Sequence, residues 1–149
     1  TYFPKDFEPV QINDAVVTAL PGFRPYHKSY LIQADGLNIV WLYWQSDRYN
    51  PRKQNRAPIE YLKSKNIPID LLFIGVSYSD MGPEWISVME EEYEMAKELN
   101  VQAVFPVPSC KMGEKLYHER KRKGDGDDIW FATNPGEAFY YKDGKVLKL

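Results

Sequence analysis

An α/β fold, with a mixed sheet and helices on one face, is the architecture this sequence predicts, on three observations. Ile69-Asp70-Leu71-Leu72-Phe73-Ile74-Gly75-Val76 and Val101 to Val107 are nearly continuous apolar runs, the pattern of strands covered on both faces. Between them, Pro83 opens a stretch from Glu84 to Leu99. There Trp85, Val88, Met89, Ala96 and Leu99 form one helical stripe, and Glu90, Glu91, Glu94, Lys97 and Glu98 fill the other side. Two buried strands joined by such a helix are expected to be parallel, with a right-handed crossover. The third observation is Asp35-Gly36, a two-residue hairpin signal that pairs Ser29 to Ala34 with Asn38 to Trp44 antiparallel.

In chain order, Thr1 to Pro9 reads as an arm before a single domain that spans the 149 residues. Val10 to Leu20 contains Ala15-Val16-Val17-Thr18-Ala19 and reads as a strand closed by Pro21-Gly22. Ile39 to Trp44 is apolar in both phases, so both faces of its sheet need cover. Gln45 to Ala57 is polar, with Pro51 and four basic residues, and predicts a long loop. Pro58 opens a short helix, Ile59 to Lys65, and Asn66-Ile67-Pro68 leads into the central unit. Asn100 closes the Glu84–Leu99 helix, while Pro106 and Pro108 end the following strand by removing ladder donors. Gly113 to Lys123 is a charged, helix-compatible segment. Ile129 to Thr133, Ala138 to Tyr141 and Val146 to Leu149 read as three short strands, with Lys142-Asp143-Gly144 as a hairpin tip.

Composition narrows the function. A formal net charge of −2 argues against a nucleic-acid binder, whose surface is usually basic. The single cysteine excludes an internal disulfide framework. No apolar run approaches the roughly 20 residues of a membrane helix. Thr1 in place of a methionine predicts a chain processed, trimmed or cut from something longer, and leaves a cytoplasmic and an exported origin both open. No G-x-x-x-x-G-K-[ST], G-x-G-x-x-G or G-x-S-x-G occurs, so these nucleotide-binding loops and the nucleophile elbow are unsupported.

Ligands of open sheets with parallel strands meet the loops beyond the strands' carboxyl ends. That makes Tyr78 and Asp80, in Ser77-Tyr78-Ser79-Asp80, and Ser109 and Cys110 the candidate binding residues for a small molecule. Cys110 precedes Lys111 and Lys115, whose charge would lower its pKa and favour a thiolate; a half-buried structural thiol is the competing reading. His27, just before a strand, offers a general base or a lone metal ligand, against an ordinary loop histidine. Asp47 and Asp80 follow neighbouring strands and could share a cation, although aspartate is also a common turn residue. Trp41, Tyr43, Trp44 and Tyr49 suit either a sugar platform or a core.

The hairpin Ser29 to Val40, the run Ile69 to Gly75, the acidic helix leading to Val104-Phe105-Pro106-Val107-Pro108 and the late Asn134-Pro135-Gly136-Glu137 together cover about two thirds of the chain. In order and spacing they resemble the carboxy-terminal half of the metallo-β-lactamase fold superfamily, in its lactonase-like branch of predicted metal-dependent hydrolases. The resemblance implies a half sandwich with a second sheet packed opposite, and zinc-dependent hydrolysis of a small ester, lactone or phosphodiester. It also implies a His-x-His-x-Asp-His cluster from an amino-terminal half, whereas this chain has only His27 and His118. Tyr43-Trp44 stand where the family usually has Gly-Asp, with Asp47 three residues further on. Pro106-Val107-Pro108 stands where the family has Pro-x-His, and a proline ring has no lone pair to offer a metal.

The expectation is therefore a hydrolase-like scaffold with a degenerate or incomplete metal site, inactive by itself. It would pair with a copy of itself or with a missing amino-terminal half. A non-catalytic binding or assembly module, using the loops after the sheet strands, is the alternative.

Overall fold

A computed structural model describes residues 5–22, 27–43, 51–76, 85–108, 130 and 136–149. Six strands form one mixed sheet in chain order: β1 (Pro9–Ile12), β2 (Ala15–Pro21), β3 (Lys28–Ala34), β4 (Leu37–Tyr43), β5 (Leu71–Val76) and β6 (Ala103–Pro108). The first four make an antiparallel meander, and β4, β5 and β6 run parallel. Between β4 and β5 lie a helical turn, α1 (Pro51–Gln54), and α2 (Arg56–Ser64), and between β5 and β6 lies α3 (Trp85–Glu98). A separate hairpin, β7 (Phe139–Lys142) with β8 (Lys145–Lys148), follows. The α/β class and the mixed sheet are as the sequence predicts.

Turn chemistry accounts for the meander. Asp35 and Gly36 have φ of 52° and 77°, the positive pair that a type I′ turn demands and that matches the twist of the flanking strands. Asp143-Gly144 repeats the device between β7 and β8. Val10 to Leu20 is not one strand: Asn13, at φ 51°, starts a two-residue turn that folds β1 back onto β2 in the register Ile12↔Ala15. Nor are all residues before Pro9 an arm. The Phe7 N–H donates to the Ala19 carbonyl at 2.8 Å, and its ring lies 4.7 Å from that of Tyr61.

Both longer helices end in the same way. Asn66 and Asn100 take φ of 50°. The Asn66 and Ile67 N–H groups donate to the Lys63 and Leu62 carbonyls, as those of Asn100 and Val101 do to Lys97 and Ala96. These paired bonds are Schellman motifs, with asparagine tolerating the left-handed position and Ile67 and Val101 turned onto the core. The expected loop Gln45–Ala57 is helical from Pro51, and α2 begins at Arg56 rather than Ile59. Pro58 then falls in the first turn, where no backbone N–H is needed.

Prolines do not stop β6 either, and hydrogen bonding gives the reason. Ala103 N–H donates to Asp70 O on the β5 side, while Val104 O faces away and accepts the Trp130 N–H at 2.8 Å. By alternation Pro106 and Pro108 also face away, so neither removes a ladder donor, and pairing runs on to Val76↔Pro108. The outer edge of β6 is left poor in donors, which blunts it against adding another strand.

The core lies on one face. Leu20, Leu31, Val40, Leu42, Leu72, Ile74 and Val104 of the sheet pack with Ile59 and Leu62 of α2, with Met95 and Ala96 of α3, and with Leu99 beyond it. Ala96 and Leu99 were expected there and Met95 was not, while the side chains of Trp85, Val88 and Met89 lie outside the described residues. The Gly113–Lys123 segment, and residues 129–133 apart from Trp130, also lie outside them. No described helix is long and apolar enough to cross a membrane.

Candidate functional site

Parallel pairing sets the carboxyl ends of three strands level. Tyr43 is opposite Gly75, Gly75 opposite Val107, and Val76 opposite Pro108, so the chain leaves β4, β5 and β6 along one edge of the sheet. The antiparallel partners bring β2's end and β3's beginning to the same edge, through Pro21↔Lys28 and Tyr30↔Trp41. His27 is therefore carried to the edge the sequence picks out. It is half-buried, and its backbone carbonyl accepts the Gly22 N–H at 2.9 Å. A Cβ on Gly22 would sit 2.2 Å from that oxygen, so a side chain there would displace His27. Asp47, Tyr78, Asp80, Ser109 and Cys110 lie outside the described residues.

The ion pair Lys28–Asp6, at 2.6 Å, lies at this edge too. Lys28's side chain is only 16% exposed, so the pair fastens the segment before β1 to the sheet. A second feature, absent from the sequence reading, is a cleft of about 430 Å³ among α1, α2 and α3, lined by Arg52, Lys53, Arg56, Ile59, Glu60 and Glu98. Glu98 accepts hydrogen bonds from Lys63, at 2.7 Å, and from Arg52. The Lys63 hydrogen bond holds its carboxyl below the usual range; burial opposes this, and Arg52 reinforces it. By sequence Glu98 is one of α3's solvated charges, and what sequence cannot supply is that α1 and α2 aim two cations at it. With three cations and two carboxylates on its walls, the cleft is a largely balanced ionic tie between helices.

At the opposite end of the strands the Asp70 carboxylate joins three elements. One oxygen accepts the Asn38 N–H at 2.8 Å and the other the Tyr141 hydroxyl at 3.0 Å, docking β7 on the sheet. Burial, then the Asp70 hydrogen bond and charge, push the Tyr141 phenol up to about 12. This is an architectural clasp, remote from the strands' carboxyl ends.

Zinc, which the resemblance implies, is poorly matched by the donors described. His27 is the one imidazole among the described residues, and β6 ends in two prolines whose nitrogens cannot coordinate. Among the described residues no three of His, Cys, Asp and Glu gather as a metal would need. The geometry defines an α/β domain with a mixed six-stranded sheet and one prepared loop edge. Comparison with known protein families finds no match to the chain, and comparison with curated proteins finds none.

Proposed function

We propose that the chain is a scaffold of the metallo-β-lactamase-fold hydrolase lineage: the helix-covered half of a two-sheet sandwich, with an incomplete metal site of its own. One observation carries this reading. An antiparallel meander passes directly into two parallel crossovers, with level carboxyl ends and, among the described residues, the helix-packed core on one face. That is the order of elements which the resemblance implies for the carboxy-terminal half. Hydrolysis of a small ester, lactone or phosphodiester would need metal ligands from an amino-terminal half. This chain's contribution would be the sheet edge, with His27 and the loops that start there.

Metal affinity and turnover test it together. The purified chain should bind zinc no better than micromolar in competition with a chromophoric chelator, because a zinc site takes three or four protein ligands. It should turn over none of the three substrate classes. Stoichiometric zinc after dialysis would overturn the incomplete-site reading and make His27, Asp47 and Asp80 the residues to replace. The second reading, a non-catalytic binding or assembly module using the loops after the sheet strands, is favoured by the level ends of β4, β5 and β6, which start those loops along one edge.

A further inference from the structure

Residues paired across neighbouring strands share a sheet face, so the register spells out what the face away from the helices presents. One row reads Val10, Val17, Ile32, Ile39, Leu71 and Ala103. The next reads Ala19, Tyr30, Trp41, Phe73 and Phe105. Ile12 with Ala15, and Ala34 with Leu37, flank the first row on its far side. No charged side chain stands in these rows. The rings of the second row stack across the strands, Trp41 on Phe73 at 5.8 Å and Phe73 on Phe105 at 5.2 Å.

Cover on this face is uneven. At the β6 end Phe139 of the terminal hairpin meets Phe105 edge-on at 5.7 Å, and Leu71 and Ala103 are buried. Toward β1, among the described residues, Trp41 is 40% and Ile12 52% exposed, with Val10, Val17, Tyr30, Ile32 and Ile39 half-buried between them.

We infer that a second copy of this chain covers that region, the β1–β4 faces of two protomers stacking about a two-fold axis. Size and charge both point to a copy. A face four strands wide and five residues long measures roughly 20 by 16 Å, from strand spacings of about 4.8 Å and a rise of about 3.3 Å per residue. Two such faces present about 640 Å² in projection, the small end for a specific interface, so the contact is a weak one that forms as concentration rises. An isologous contact sets each patch against itself, so a charged patch would meet like charge; these rows carry none, and Lys28, one row further along the same face, is already paired with Asp6. Trp41, the largest exposed side chain of the patch, stands at its β4 side and anchors the contact there. In the chain by itself the copy takes the face that the proposed sandwich gives to a second sheet, so the contact competes with an amino-terminal half for that face.

Light scattering on the chain from low to high micromolar concentration tests the inference, with Trp41→Glu and the milder Ile39→Thr beside it. Circular dichroism checks that each variant is folded. The wild type should pass from monomer to dimer, and each folded variant should dissociate at least tenfold more readily. If Trp41→Glu fails to fold, Ile39→Thr carries the comparison. A wild-type monomer at every concentration would overturn the inference and leave the face to the chain's own terminal segment or to a different partner. A dimer that both variants leave intact would overturn it too, placing the contact elsewhere.

Discussion

Placing a lysine at each of two adjacent positions of β4 tests the assignment of sheet faces most sharply, because neighbours on a strand point to opposite sides. Val40 is fully buried, between Leu31 and Leu72 in register and under the helices. Val40→Lys gives up about 2 kcal/mol of apolar burial. It also overfills a packed site, at about 1–3 kcal/mol, and strands a charge, at several kcal/mol more. The total is about the whole stability of an ordinary domain, so the variant should not fold. Trp41→Lys removes a larger side chain but leaves the stem lying on Phe73 with its charge in water. Losing the ring contact and part of its burial costs about 2 kcal/mol. At roughly 0.3 kcal/mol per kelvin for 149 residues, that lowers Tm by about 6 °C. Urea and thermal unfolding followed by circular dichroism, at one dilute chain concentration, give both values. A folded Val40→Lys with a Tm close to that of Trp41→Lys would refute the face assignment.

Helix ends, clasp and ionic tie give three more predictions. Asn66→Ala and Asn100→Ala should each cost about 1 kcal/mol in urea unfolding, because alanine resists the left-handed position, whereas the glycine variants should be neutral or stabilising. Tyr141→Phe should cost about 1 kcal/mol by removing a hydrogen bond to a carboxylate, and the effect should vanish in an Asp70→Ala background. Tyr141's folded pKa, about 12, lies above the ordinary tyrosine value near 10. Its contribution is thus complete below about pH 10 and should fade as pH rises toward 12, a decline that Tyr141→Phe should lack. Glu98 is shifted the other way, so its contribution is present above the ordinary glutamate range and is lost as pH falls through its lowered folded value. With partners about half exposed the pair is worth under about 1 kcal/mol, and Glu98→Gln should flatten acid unfolding by no more than that.

What the sequence revealed depends on how local each cause is. Asp35-Gly36 and Asp143-Gly144 are legible because two residues alone decide a type I′ turn. The β5–α3–β6 unit is legible because long apolar runs and a helical stripe leave few alternatives. Asn13 hid its turn inside a β-branched run, having no glycine beside it to announce the hairpin. The helical turn at Pro51 is too short to show a period. Pro106 and Pro108 read as a stop because sequence does not say which way a strand's nitrogens face, and that direction is settled by β5 and Trp130. At the candidate site, the common edge for three strand ends follows from parallel pairing and could be foreseen. The tie at Glu98 could not, since it depends on how helices far apart in sequence meet.

Helices cover one face of the sheet, and the proposed contact between copies lies on the uncharged rows of the other. Methyl NMR with a soluble paramagnetic reagent reads both faces at once as concentration changes. Ile32 and Ile39 should broaden in dilute solution and become protected as the chain is concentrated, while Val40, Leu42 and Leu72 stay protected throughout. Equal protection of both sets in dilute solution, or broadening of Ile39 that concentration never relieves, would contradict it.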